Sequence, residues 1–250
     1  MLSIMGYEHF HLPETDSTNL QAHAIIALNG DQEKFLISTD FQSSGKGLEE
    51  NEWVSQPGLN LLFSMALQPK WIAASKQFLI TQAVSLGVIE VVKEYVESDS
   101  LRIKWPNDIY IGDRKLAGML ISNTISGSDL LWSVIGIGLN VNQVSFPARL
   151  PNPVSLALET GNTFNTNTLL EKLVYKIDQL LIKCRFVSTI ESLQQLYLDR
   201  LYRYQQWAPY DYQDETIEAR IDGVNEFGQL RLEMRNGKEI CCNYKEIIFL

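Results

Sequence analysis

Cysteine is scarce in this chain, and its placement suits no disulfide framework. There are three cysteines, two of them adjacent at Cys241 and Cys242. An odd count with strand neighbours facing opposite ways argues against paired bridges or a shared ligand. Histidine is as rare: His9, His11 and His23 fall near the N-terminus, away from every glycine-rich segment and without metal-site spacing. No apolar run approaches the roughly 18 residues of a membrane helix. The opening MLSIMGYEHFHLPETD has no basic stretch followed by an apolar one, so it does not read as a signal peptide. Positive charge is in deficit, with 21 Lys and Arg against 30 Asp and Glu and a net charge of −9. That opposes nonspecific nucleic-acid binding, which needs a basic face to displace counterions. The G-x-S-x-G elbow, the P-loop and the G-x-G-x-x-G fingerprint are all missing. These absences point to a cytoplasmic α/β protein with no membrane segment, no metal site of its own and no nucleophile triad.

What is present is a 45% apolar chain of 250 residues, enough for a large core. Asp16-Ser17-Thr18-Asn19 before LQAHAIIAL reads as a helix start. Strands are expected over 34–41 and 59–67, flanking the polar loop QSSGKGLEENEW (42–53). A long helix is expected over 76–96, where apolar residues recur at helical spacing. Antiparallel strands follow over 101–104, 109–111, 116–123 and 130–140, with turns at Gly112-Asp113 and Gly127-Ser128. Helices are expected over 167–187 and 189–204. From Thr216 the pattern changes to short alternating segments broken by Gly223, Gly228 and Gly237, which suggests a small β-barrel on a larger core. The expected division is 1–206 and 207–250.

Four stretches could carry chemistry. In LRIKWPNDIYIGDRKLAGML (101–120), Pro106 holds Trp105 extended and Asn107-Asp108 makes a turn. Lys115 heads the next strand, where it is either a solvated strand end or a cation for a carboxylate or phosphate, with Gly118 leaving room for a ligand. In IGIGLNVN (135–142), Gly136 and Gly138 share a face and open a groove, unless the strand simply packs close under a helix. Gly45-Lys46-Gly47 offers backbone N–H groups to an anion, or is a plain surface loop. DSTN (16–19) is an N-cap that could also hold a small polar heterocycle.

In this order, DSTN, QSSGKG…W (42–53), PGLNLLFS (57–64), KWPNDIY (104–110), KLAGML (115–120), IGIGLNVN and PVSL (153–156) resemble bacterial biotin–protein ligases, that is, biotin–[acetyl-CoA-carboxylase] ligases. The resemblance covers nearly the whole chain. It implies a class II aminoacyl-tRNA synthetase-like core with a largely antiparallel mixed sheet, plus a C-terminal SH3-like barrel. With the first motif at Asp16, it implies the short form without an N-terminal winged helix, and no DNA partner. It implies a ligase that forms biotinyl-5′-adenylate from biotin and ATP, with Mg²⁺ brought by ATP. Biotin then passes to a lysine of a biotin carboxyl carrier domain. Ser17, Thr18, Asn19 and Gln42 would hold the biotin ring. Gly45, Lys46, Gly47 and Leu48 would close over it, and Gly118, Gly136 and Gly138 would floor its chain. Lys115 would bind the carboxylate. Trp53, Asn107 and Asn140 would surround the adenine, and Asp108 would orient Lys115 or meet Mg²⁺. Lys46, Lys115 and Asp108 are thus the expected catalytic residues. The loop departs from the family's arginine-rich form: Leu48 and Asn51 stand for arginines, and Glu49, Glu50 and Glu52 add negative charge. That predicts weaker retention of the adenylate. The rival expectations are a lipoate or octanoate ligase or transferase of the same fold, and a non-catalytic binder of biotin or its adenylate. Homodimer pairing through an edge strand is also possible on this pattern.

Overall fold

The run LLFSMAL is apolar or small at every position, and in the computed structural model it is a strand buried on both faces. Strands of that kind sit in the middle of a covered sheet. The model describes residues 2–28, 32–48 and 51–250. In chain order the elements are β1 (Leu2–Ile4), β2 (Tyr7–Thr15), α1 (Thr18–Leu28), β3 (Lys34–Gln42), β4 (Leu61–Leu67), α2 (Phe78–Val92), β5 (Leu101–Lys104), β6 (Asp108–Ile111), β7 (Arg114–Ser126) and β8 (Asp129–Leu139). Then come α3 (Leu156–Thr160), α4 (Thr166–Lys183), α5 (Val187–Asp199), β9 (Trp207–Tyr212), β10 (Glu215–Val224), β11 (Leu230–Met234), β12 (Glu239–Cys242) and β13 (Ile247–Phe249).

Eight strands form one mixed sheet in the order β1-β2-β3-β4-β8-β7-β6-β5. Only β2 and β3 pair in parallel, joined by α1; the other neighbours run antiparallel. α2 is buried along most of its length and packs against α4. α4 shows its apolar residues at three- and four-residue spacing, Leu169, Leu173, Val174, Ile177 and Leu181 among them. Its N-cap Asn165 accepts from the Thr168 N–H. On the other face α1 covers a smaller apolar cluster around Phe35, Ile37 and Trp132.

The last five strands form a separate antiparallel sheet, ordered β12-β11-β10-β9-β13. Buried and exposed positions alternate along β12, as expected for a sheet with one covered face. It is pinned to the large sheet where Trp105 Nε1 donates to Gly228 O at 2.9 Å.

Most expected elements are present, with different ends. The helix expected over 76–96 is α2 alone; before it a 3₁₀ turn spans Ala74–Lys76. After it the Tyr95 N–H reaches back only three residues, to Val92 O, which tightens the chain out of the α-helix. α5 ends at Asp199 rather than at residue 204, and the chain turns through left-handed Arg203 and Gln205. β1, β2, α3 and β9 were not expected. His9, His11 and Pro13 hid the strand character of β2. His23 is not remote from the glycine-bearing strands: its Nε2 lies 2.8 Å from Ser122 Oγ on β7. Among the described residues no helix is long and apolar enough to cross a membrane.

Candidate active site

Lys115 and Gly118 are three residues apart, a spacing that in a regular strand puts them on opposite faces. The register of β6 and β7 shifts between Ile109 and Tyr110, so that Ala117 pairs with Ile109 but Lys115 with Tyr110. This bulge absorbs Leu116 and turns Lys115 onto the face of Gly118. A Cβ on Gly118 would meet both Lys115 Cε at 3.4 Å and Asp108 Oδ1 at 3.3 Å. Lys115 Nζ lies 2.7 Å from Asp108 Oδ2 and 5.7 Å from the centre of the Trp53 ring. Burial pushes the Asp108 carboxyl above its ordinary range, and Lys115 works against that rise. The backbone of Lys115 is fixed on its far side: its N–H donates to Asn152 O at 2.7 Å, and its carbonyl accepts from Val154 N–H at 2.9 Å.

At the start of α1, Thr18 donates to Gln42 Oε1 from its backbone at 2.8 Å and from its hydroxyl at 3.1 Å. Asn19 Nδ2 donates to Leu120 O at 3.0 Å. The buried Ser64 hydroxyl donates to Asn19 Oδ1 at 2.5 Å and lies 2.7 Å from Thr18 Oγ1. Asp16 accepts from the Ser17 N–H and from Gln21 and Thr15, which hold its carboxyl below the usual carboxylate range.

The polar loop folds back on itself. Gly47 N–H donates to Asn51 O at 2.7 Å, Trp53 N–H donates to Gly45 O at 2.9 Å, and the backbones of Lys46 and Glu52 pair in an antiparallel bridge. The Trp53 indole rests on the bare backbone of Gly138 and Gly118. Its Nε1 is buried and has no hydrogen-bond partner among the described residues.

These parts enclose one cavity of about 460 Å³. It brings together most of the expected residues: Ser17, Thr18, Asn19 and Gln42 at one end, Asn107, Asp108 and Lys115 at the other. Lys46, Gly47, Leu48 and Trp53 lie along the loop, and Gly118, Gly136 and Gly138 along the sheet. Two expected residues do not line it. Gly45 serves the loop instead, where a Cβ would strike Trp53 O. Asn140 is buried and donates to Val154 O at 3.0 Å. There it braces the segment that holds Lys115. The glycine face is also less open than expected. A Cβ at Gly136 would run into the Asn19 carboxamide, and one at Gly138 into the Trp53 ring. Asn107 Nδ2 is likewise engaged, donating to Met119 O. Glu49 and Glu50 lie outside the described residues.

The cavity also has residues that the motifs did not mark. Lys104 enters it from KWPND, with burial holding its amine below the usual lysine range. Tyr244, Lys245 and Phe249 reach it from the C-terminal sheet. Their surrounding sequence carries no motif, whereas Lys104 could have been marked by its place two residues before Pro106.

The family model for the biotin/lipoate A/B protein ligase family matches residues 12–140, which hold every expected site residue. The chain belongs to that family. Among curated ligases of the family type, a biotin–[acetyl-CoA-carboxylase] ligase of Paracoccus denitrificans is 30% identical over 173 residues, 65% of this chain and 68% of that protein. The bifunctional ligase/repressor BirA of Salmonella typhimurium is 32% identical over 169 residues, 66% of this chain and 51% of its own length. The chain therefore spans about half the length of that relative. The fold matches a biotin protein ligase from Aquifex aeolicus solved with biotin and ATP, with a TM-score of 0.77 at 23% identity, covering 97% of this chain and 99% of that one. The mixed α/β core and the C-terminal antiparallel sheet thus share the fold of that biotin protein ligase structure.

Proposed function

We propose that this chain is an ATP-dependent biotin–protein ligase, with residues 1–206 as its catalytic unit and 207–250 as a small second unit. The observation that carries the reading is one cavity with a hydrogen-bonding end at Thr18 and Gln42 and a cationic end at Lys115. A bicyclic ureido acid needs both: polar groups for its ring and a cation for its tail.

In the first step a biotin carboxylate oxygen attacks the α-phosphorus of ATP. The new bond is acyl C–O–P, and pyrophosphate leaves with the electrons of the broken P–O bond. Lys115 offsets the two negative charges that must approach each other, and Asp108 holds its amine in place until the substrate acid enters. Lys46 faces the phosphates from the loop. Trp53 and Asn107 flank the adenine, and a ligand acceptor would satisfy the orphan Trp53 Nε1 donor. In the second step the neutral amine of an acceptor lysine attacks the acyl carbon. An amide forms, AMP leaves, and the amine's proton passes to solvent. No enzyme nucleophile is required.

Mg²⁺ would neutralise charge on the triphosphate. Asp108 and Glu52 are the carboxylates lining the cavity, and a magnesium bound mainly by phosphates needs only one or two. Asp108 fits that part once Lys115 turns to the substrate acid. The partners are biotin, ATP and a biotin carboxyl carrier domain, in the cytoplasm, with neither DNA nor membrane and with homodimer pairing left to the edge strands.

The test is pyrophosphate release with ATP and either biotin or lipoate, followed by addition of a carrier domain. Release with biotin and labelling of the carrier lysine is expected. Release with lipoate alone would reassign the substrate, and release without transfer would make the protein an adenylate binder.

A further inference from the structure

The loop over the cavity is closed mainly by its own backbone. Beyond those bonds, its described side-chain links to other parts of the protein include an exposed Glu52–Arg149 pair at 3.8 Å, a kind worth little in water. Another is of a different type. Asn51 Nδ2 donates to the Tyr244 hydroxyl at 3.0 Å, across 193 residues of sequence. Tyr244 is set firmly. It sits between β12 and β13 in a turn where the Glu246 carboxylate accepts from Asn243 N–H at 2.6 Å and from Asn243 Nδ2 at 3.2 Å. Its ring lies 6.5 Å from that of Trp105, whose Nε1 ties the same sheet to the KWPND turn. Tyr244 also lines the cavity itself. The loop thus has a fixed point outside the large sheet, and Asn51, at a position where the resembled loop form carries arginine, is the side chain that reaches it.

We propose that the Asn51–Tyr244 hydrogen bond is a latch that holds the loop over the cavity and sets how long an acyl-adenylate stays inside. The inference rests on the adenylate-forming reading. A lost hydrogen bond at such a site shifts an opening equilibrium by about three- to tenfold. Each opening exposes the mixed anhydride to water and to bystander amines. Tyr244 is a positioning residue here: it acts on the intermediate through the loop.

The experiment uses the full chain and three variants, Tyr244→Phe, Asn51→Ala and the double variant. Amide hydrogen exchange over residues 45–53 is measured without ligands. The fraction of adenylate released rather than transferred is measured with biotin and ATP, by labelling of a bystander protein. We expect about three- to tenfold faster exchange and a similar rise in the released fraction for each single variant. The double variant should match the singles, since both remove the same bond. Exchange in Tyr244→Phe equal to that of the unaltered protein, or effects that add in the double variant, would overturn the latch. If the unaltered protein releases no pyrophosphate, the adenylate reading fails. The exchange rates then still decide whether the loop is latched.

Discussion

Lys115 and Tyr244 face the same cavity from walls built in different ways. Lys115 stands on an inner strand of an eight-stranded sheet, opposite Tyr110 of β6 on one side, with its backbone bonded on the other to Asn152 and Val154. Its amine is already spoken for by Asp108. Tyr244 stands on a turn of a small sheet and meets Asn51 of the loop through an exposed hydrogen bond. The first wall can hold a charge in place to a fraction of an ångström. The second is joined by contacts weak enough to be made and broken in each turnover. On the proposed function, the groups that must be fixed for chemistry are on the stiff wall, and those that would let substrate in and product out are on the soft one.

The comparison breaks most sharply at Lys115. Lys115→Ala should lower adenylate formation by about 100-fold or more, on the scale of removing a charge-stabilising donor from an active site. Pyrophosphate release under saturating biotin and ATP measures it, and unchanged turnover would remove Lys115 from the mechanism. Gly138→Val comes next. It drives two methyls into the Trp53 ring, and overpacking of that kind costs about 1–3 kcal/mol. Thermal unfolding should shift down, and biotin affinity should fall with it; a variant that melts and binds normally would mean that Trp53 moves freely. The smallest effect is expected at Asp108. Its carboxyl is raised in the folded chain, so ionising it costs more there than in the unfolded chain. Stability should therefore decline as pH climbs from the ordinary 3.8 to the raised folded value, and stay level above it. Asp108→Asn should flatten that decline, with a difference of at most about a few degrees in melting temperature. Parallel melting curves for the two proteins from pH 3 to 8, within error, would show that Asp108 is not strained by burial.

The stiff wall was legible in the sequence because its residues sit in short, crowded motifs. Thr18 and Gln42 were expected at one place and Lys115 and Asp108 at another, and the structure puts each pair in contact. The K-L-A-G spacing was legible too, but not its cause, since a bulge is set by pairing with another strand. A motif position also says nothing about which way a side chain turns: the Asn140 carboxamide donates to Val154 O, a contact that the motif did not announce. The glycines at 136 and 138 were read as space for a ligand; they line the cavity, and their bare backbone also admits Asn19 and Trp53, which the pattern did not foretell. The soft wall was not legible at all. Tyr244 reaches the site only through the docking of one sheet on another, and no local pattern records that.

The indole of residue 53 has one more consequence. It leans on naked main chain, sits beside an ammonium group and lends its own N–H to no described neighbour. Whatever enters beneath it must alter the polarity that the ring senses. The molecule thus carries a built-in optical gauge of occupancy, and replacing the other four tryptophans would let fluorescence report filling and emptying in real time, with no dye attached.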